Sequence, residues 1–227
     1  MTVTFEEFQT VNPGGSASGS VTLATTLVSS DLVVAAYSRT SGSAGTFSIG
    51  GSPPTFLQEW TNSGVVAQVY TATGLTGSHS LSYTMGAGTA NALLVWVVRG
   101  LTNSSITAVA ESTWTTAFTT INTDEFTTTV AVDTGQAIIA IGCQSGAATP
   151  TFPSNPTPSS GWTTDVALTN GRLGGAHRVF TAAEPSARMG VRASSSIRIA
   201  ASMLVLGDPV GAPPLTSTFV GWGNPIF

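Results

Sequence analysis

At 227 residues the chain is long enough to bury a core without a disulfide or a metal, as one large β-sandwich or two small domains. Only 8% of its residues are charged, against roughly 25% in an average globular domain; the net charge is −4 and all seven basic residues are arginines. That balance argues against capture of nucleic acid, and the apolar runs, such as the seven residues Ala92–Val98, fall far short of the roughly 20 a membrane helix needs.

Solubility must therefore come from hydroxyls, and the chain carries 36 Thr and 27 Ser. Threonine suits a pleated, half-exposed surface because its branched side chain is stiff at χ1. The opening segment MTVTFEEFQT holds the acidic pair Glu6-Glu7 and lacks a basic region followed by an apolar stretch, so no signal peptide is expected. Val21, Leu23, Thr25 and Leu27 alternate as one face of a strand. Leu32–Tyr37 is a continuous apolar run that reads as a central strand covered on both faces, and Leu81, Tyr83 and Met85 alternate again.

After the Thr-rich stretch Thr102–Thr129, the alternation resumes with Phe126, Thr128, Val130 and Val132. Ala137–Cys143 is a second central strand, with its lone Cys143 read as a buried inert thiol, and Ile197–Val205 alternates longest of all. Turn signals punctuate these runs, among them Gly50-Gly51-Ser52-Pro53-Pro54, Asp133-Thr134-Gly135, Asn170-Gly171 and Gly174-Gly175. Asn170-Gly171 is a hairpin candidate. The sum predicts an all-β, antiparallel, jelly-roll-like β-sandwich with helix as a minor component at most.

The sequence also echoes itself. Ser30–Tyr37 resembles Gly135–Gly142, Gln68–Ala72 resembles Arg178–Ala182, and Ala90–Gly100 resembles Ile197–Gly207, while Trp60 and Trp162 follow the first strand of each copy. This predicts two related halves, about 15–101 and 126–207, within a β-sandwich spanning 1–208. One interleaved sandwich is the preferred reading, because each half alone leaves a long sheet edge exposed. Residues 209–227 form a C-terminal extension ending in Gly221-Trp222-Gly223-Asn224-Pro225-Ile226-Phe227, an apolar, aromatic tail that gains by docking on its own domain or on a neighbour.

No chemistry announces itself. His79 and His177 have no second His or Cys at ligand spacing, and phosphate-cradling and nucleophile-elbow patterns do not occur. The acids fall at turns and strand ends. Asp31 and Asp133 sit at nearly equivalent places before the two apolar strands, where turn formation outweighs calcium ligation. Five of the seven arginines lie between Arg172 and Arg198; Arg188, Arg192 and Arg198 alternate with apolar residues and are expected to face outward, as a solvated face or a contact for an acidic neighbour. Trp60 and Trp162 are candidate glycan-stacking residues, weighed against their use as covers for their own core. The expectation is no enzyme activity, no catalytic residue, no metal and no cofactor.

The order of an opening strand, Ser30-Asp31-Leu32-Val33-Val34-Ala35-Ala36, Trp60, Val69-Tyr70-Thr71-Ala72 and Leu93–Leu101 (LLVWVVRGL), with a looser second copy, resembles β-sandwich modules of tailed-bacteriophage virion proteins. These are minor tail, tail-fibre or capsid-decoration proteins, and the resemblance covers about residues 15–207. It implies a non-catalytic structural protein assembled in the host cytoplasm into the virion, with itself or other virion proteins as partners, and it carries no functional residues over. Candidate partner contacts are Trp222, Ile226 and Phe227, helped by the N-terminal strand Val3–Phe8. The alternative is a carbohydrate-binding, receptor-recognition module, and a polysaccharide hydrolase comes third because no carboxylate pair stands out. Nucleic acid and membrane insertion are not expected.

Overall fold

A computed structural model describes residues 2–11, 18–39, 45–62, 65–84, 92–113, 126–145, 151–154, 161–166, 173–192 and 198–208. All regular structure among them is β. The strands are β1 (Thr4–Val11), β2 (Ser18–Thr22), β3 (Leu32–Arg39), β4 (Thr46–Ile49), β5 (Thr55–Asn62), β6 (Val65–Ala72), β7 (Ser80–Thr84), β8 (Ala92–Arg99), β9 (Ile106–Thr113), β10 (Phe126–Val132), β11 (Ala137–Ser145), β12 (Thr151–Ser154), β13 (Thr163–Val166), β14 (Leu173–Val179), β15 (Glu184–Arg192) and β16 (Arg198–Leu206).

The first eight strands form a five-stranded sheet, β1-β8-β3-β6-β5, and a three-stranded sheet, β2-β7-β4. The last eight form β13-β14-β11-β16-β9 and β10-β15-β12. Both sets therefore have the same strand order, with β9 standing where β1 stands and β16 where β8 stands. That order is a jelly roll's, with one change: β5 and β13 extend the larger sheet instead of flanking β4 and β12. Among the described residues no strand of the first eight bonds to any of the last eight, so their pairing is not that of the interleaved sandwich expected. What joins the two sandwiches is face-to-face packing, which leaves the sheet edges out of account.

Period-2 alternation explains how each large sheet serves two cores. In β3 and β8, Leu32, Val34, Ala36, Leu94, Trp96 and Val98 point to a central core, which they share with Ala137, Ile139, Ile141 and Cys143 of β11 and with Leu204 and Leu206 of β16. Val33, Ala35, Tyr37, Leu93, Val95 and Val97 point the other way, toward Phe47, Ile49 and Leu81 of the small sheet. On the far face of the second large sheet, Ile138, Ala140, Met203 and Val205 are buried, as are Ala187 and Met189 of β15. There β10 lies against β9 and β16, and β12 against β14. The result is four layers of three, five, five and three strands.

Two expectations meet the seam between the five-stranded sheets. Gly174-Gly175, read as a turn signal, lies inside β14 opposite Gly142 and Ile141, and both glycines are buried. A Cβ on Gly175 would stand 2.5 Å from the Trp96 ring and 2.9 Å from a Leu94 methyl, so glycine is there to admit a tryptophan from the opposite sheet. The N-terminal strand is not an arm for a neighbour: β1 pairs along β8 from Thr4↔Arg99 to Val11↔Leu93, and Val3 is buried in the central core. β13 and β14 do pair as antiparallel neighbours, while Asn170-Gly171 lies outside the described residues.

Candidate functional site

Several charged residues serve as internal struts, and Asp31 has the turn-forming role expected of it. Asp31 caps the turn before β3, where its Oδ2 accepts the Val28 N–H at 2.9 Å. The Arg99 fork closes on the same carboxylate, Nε to Oδ1 at 2.8 Å and Nη2 to Oδ2 at 2.7 Å, with Glu6 at 3.5 Å. Burial pushes the Asp31 carboxyl up, but the Arg99 hydrogen bonds, the Val28 N–H and the Arg99 charge outweigh it and hold its pKa below the usual value. Glu7 ties β1 to the β2–β3 connection by accepting the N–H groups of Ala24 and Thr25 at 2.9 and 2.8 Å.

In the second sandwich the residue at Asp31's place is Gln136. Its Oε1 accepts the Asp133 N–H at 2.8 Å, as Asp31 accepts that of Val28, and its Nε2 donates to the Gly207 carbonyl at 2.6 Å. The equivalence drawn between Asp31 and Asp133 is thus corrected: Asp133 stands where Val28 does. Both Asp31 oxygens accept donors of the chain itself, and no group of three or more metal-ligating side chains occurs among the described residues.

A second cluster lies in the seam. Asp165 of β13, nearly buried, accepts the Trp96 indole N–H from the opposite sheet at 2.8 Å and pairs with His177 Nδ1 at 2.8 Å. Phe5 of β1 stacks on the His177 ring with centroids 3.9 Å apart. Three strands from two sandwiches therefore meet at one carboxylate, and a fourth, β1, packs on its histidine partner. A His–Asp pair is half of a nucleophilic triad, but no serine, threonine or cysteine is bonded to His177 among the described residues. The cluster reads as a polar bolt fixing the stacking of the sheets. No residue type signalled it, because a lone Asp and a lone His twelve positions apart carry no motif. Arg178 is likewise internal, donating to Glu184 at 2.6 Å over the Phe180 ring, whereas Arg188 faces solvent.

Of the two glycan-stacking candidates, Trp60 is overturned. It is 3% exposed in the central core, where no sugar reaches its ring, and its Nε1 has no partner among the described residues. Trp162, just before β13, is half-buried and donates to the Arg188 carbonyl at 3.1 Å, so it braces β13 against β15. Trp222, Ile226 and Phe227 lie outside the described residues, as do all of 209–227. No helix among the described residues is long and apolar enough to cross a membrane.

The exposed large apolar residues among those described are Val28 and Phe56. Phe56 lies on β5 beyond the margin of the small sheet, beside Tyr70 at 5.5 Å between ring centroids. No family model matches the chain, and no curated protein or solved structure is significantly similar to it.

Proposed function

We propose that this protein is a structural, non-catalytic component of a bacteriophage virion, of minor tail or capsid-decoration type, which acts through multimeric surface contacts with itself or other virion proteins. The observation that carries this reading is the stacking of two sandwiches of jelly-roll order into one four-layer body. Viral shell proteins use jelly rolls as rigid, edge-bearing building blocks, and the inference is one of fold analogy. Two features support it. The ionisable groups at Asp31, Glu7, Asp165 and Arg178 serve as internal struts, and the surface chemistry left over is dominated by neutral hydroxyls.

On this reading assembly rests on apolar residues of the C-terminal segment. Trp222, Ile226 and Phe227 follow the last strand in sequence; burying each on a neighbour contributes roughly 1.5–3 kcal/mol, and copy number multiplies the effect through avidity. Deleting residues 221–227 is expected to abolish incorporation into particles while the circular dichroism spectrum stays that of a β protein. Particles that incorporate the truncated chain at the normal level would overturn the docking role.

A further inference from the structure

The change from a standard jelly roll has a consequence at β5. Because β5 joins β6 in the five-stranded sheet instead of flanking β4 in the small one, no described strand covers its face toward that layer, and Phe56 and Glu59 are exposed there. Two cross-strand rows of side chains rise there, Phe56–Tyr70 and Glu59–Gln68–Tyr37, set by the pairings of β5 and β3 with β6. An aromatic chain runs outward from the core: Tyr37 on Phe47 at 5.2 Å, Phe47 on Tyr70 at 5.0 Å, Tyr70 on Phe56 at 5.5 Å. Its inner member is fully buried and its outer member, Phe56, is 52% exposed.

Beside this chain lies a fixed polar row. Gln68, 6% exposed, donates from Nε2 to Glu59 Oε2 at 2.7 Å and accepts the Tyr70 hydroxyl on Oε1 at 3.2 Å. The buried amide thus holds an exposed carboxylate and a phenol in place at the foot of an exposed ring. A single exposed phenylalanine requires no explanation; an exposed ring braced by Tyr70 at the end of an aromatic chain, next to a carboxylate oriented by a buried glutamine, is a different object. It is amphipathic at the scale of one pyranose, which has an apolar C–H face and a rim of hydroxyls. The ring presents its surface to the C–H face, and the free Glu59 oxygen and the Tyr70 oxygen accept from hydroxyls with little ordering cost, because both are already placed.

We infer that the uncovered face of β5 and β6, built on Phe56, Glu59 and Tyr70, is a binding shelf for a neutral sugar residue of a surface polysaccharide. The Glu59 carboxylate disfavours uronic acids by like-charge repulsion. This inference stands apart from the assembly reading and from Trp60 and Trp162.

Affinity electrophoresis of the whole chain in gels containing dextran, galactomannan, arabinogalactan or β-1,3-glucan tests it, with polygalacturonate as the acidic comparison. At least one neutral polymer is expected to retard the protein and polygalacturonate is not. Phe56→Ala should abolish the retardation, and Glu59→Gln should weaken it about tenfold, the loss of one charge-assisted hydrogen bond. Val28→Ala, which removes the other exposed apolar side chain away from the shelf, should change nothing, and all three variants should keep the wild-type Tm. Absence of retardation by all four neutral polymers, undiminished retardation of Phe56→Ala, or equal loss in Val28→Ala would each overturn the shelf, and none of these outcomes bears on incorporation into particles.

Discussion

Asp31 and Trp60 show how single residues of this chain trade function for structure. Asp31 has its pKa depressed in the folded protein, because burial's upward push is exceeded by Arg99 and the Val28 N–H. A carboxylate of that kind stabilises the fold fully above its unfolded pKa of about 3.9, and the contribution disappears as pH falls through the folded value. Glu7 adds in the same direction: burial raises its pKa, and the Ala24 N–H, Gln9 and Thr25 together lower it further than that. The Tm is therefore expected to fall steeply below about pH 4. Asp31→Asn should be less stable than wild type at neutral pH and show a shallower loss on acidification; parallel Tm–pH curves for the two would remove Asp31 from the account. At Trp60 the expected costs differ by substituent. Trp60→Ala empties a seam position and should cost about 3–5 kcal/mol, whereas Trp60→Phe keeps most of the contact, removes a buried donor that has no described partner and should cost markedly less. Urea unfolding of the two variants compares them directly.

At the scale of elements, the strands were legible where both faces are apolar and where alternation is clean, because burial writes itself into hydropathy at period 2. Leu32–Tyr37 and Ala137–Cys143 are the central strands β3 and β11. What alternation does not carry is register. The echo sets Val98 against Val205, but Val98 lies opposite Leu32 and it is Leu206 that lies opposite Ala137, the residue matched to Leu32. That single-residue slip exchanges seam and outer faces: Trp96 is in the central core, while Met203, which the echo matches to it, is not. The slip is larger at β6 and β14, where Val33 pairs with Ala72 and Ile138 with Arg178, four positions from the echo. Gly175 was opaque for a related reason. Its role depends on Trp96, nearly eighty residues earlier and in another sheet, and nothing local distinguishes a glycine that makes room from one that makes a turn. Phe56, Asp165 and His177 were missed similarly, since exposure past a sheet margin and convergence at a seam belong to tertiary packing. Gly175→Ala, conformationally mild on an extended strand, is expected to cost at least 1–3 kcal/mol by overpacking against Trp96. Combining it with Trp96→Phe should recover part of that loss, and additive costs in a double-mutant cycle would show that the two residues do not share one space.

At the scale of the whole molecule, the seam decides whether two sandwiches behave as two proteins or one. β8 crosses β14, β6 crosses β11, and β5 crosses both β16 and β9, so every large-sheet core residue on the inner face owes part of its burial to the other sandwich. Each sandwich is closed by a pairing between its first and last strands, Thr4↔Arg99 in one and Ile106↔Leu206 in the other, and contacts of that sequence separation make folding slow. A half folded alone would expose the central core face, Leu94, Trp96 and Val98 among it, to water. The free energy of the seam is consequently shared, and thermal unfolding is expected as one calorimetric transition. Trp96→Ala removes a tryptophan that crosses the seam together with the indole donor to Asp165. It should lower that transition by about 3–5 kcal/mol, at roughly 2–4 °C per kcal/mol for a domain of this size, without splitting it. Two resolved transitions in the wild-type protein, or a variant in which the first sandwich alone is destabilised, would show that the bolt at Asp165 merely aligns two independent bodies. A single transition moving as a whole would mark the four layers as one rigid unit.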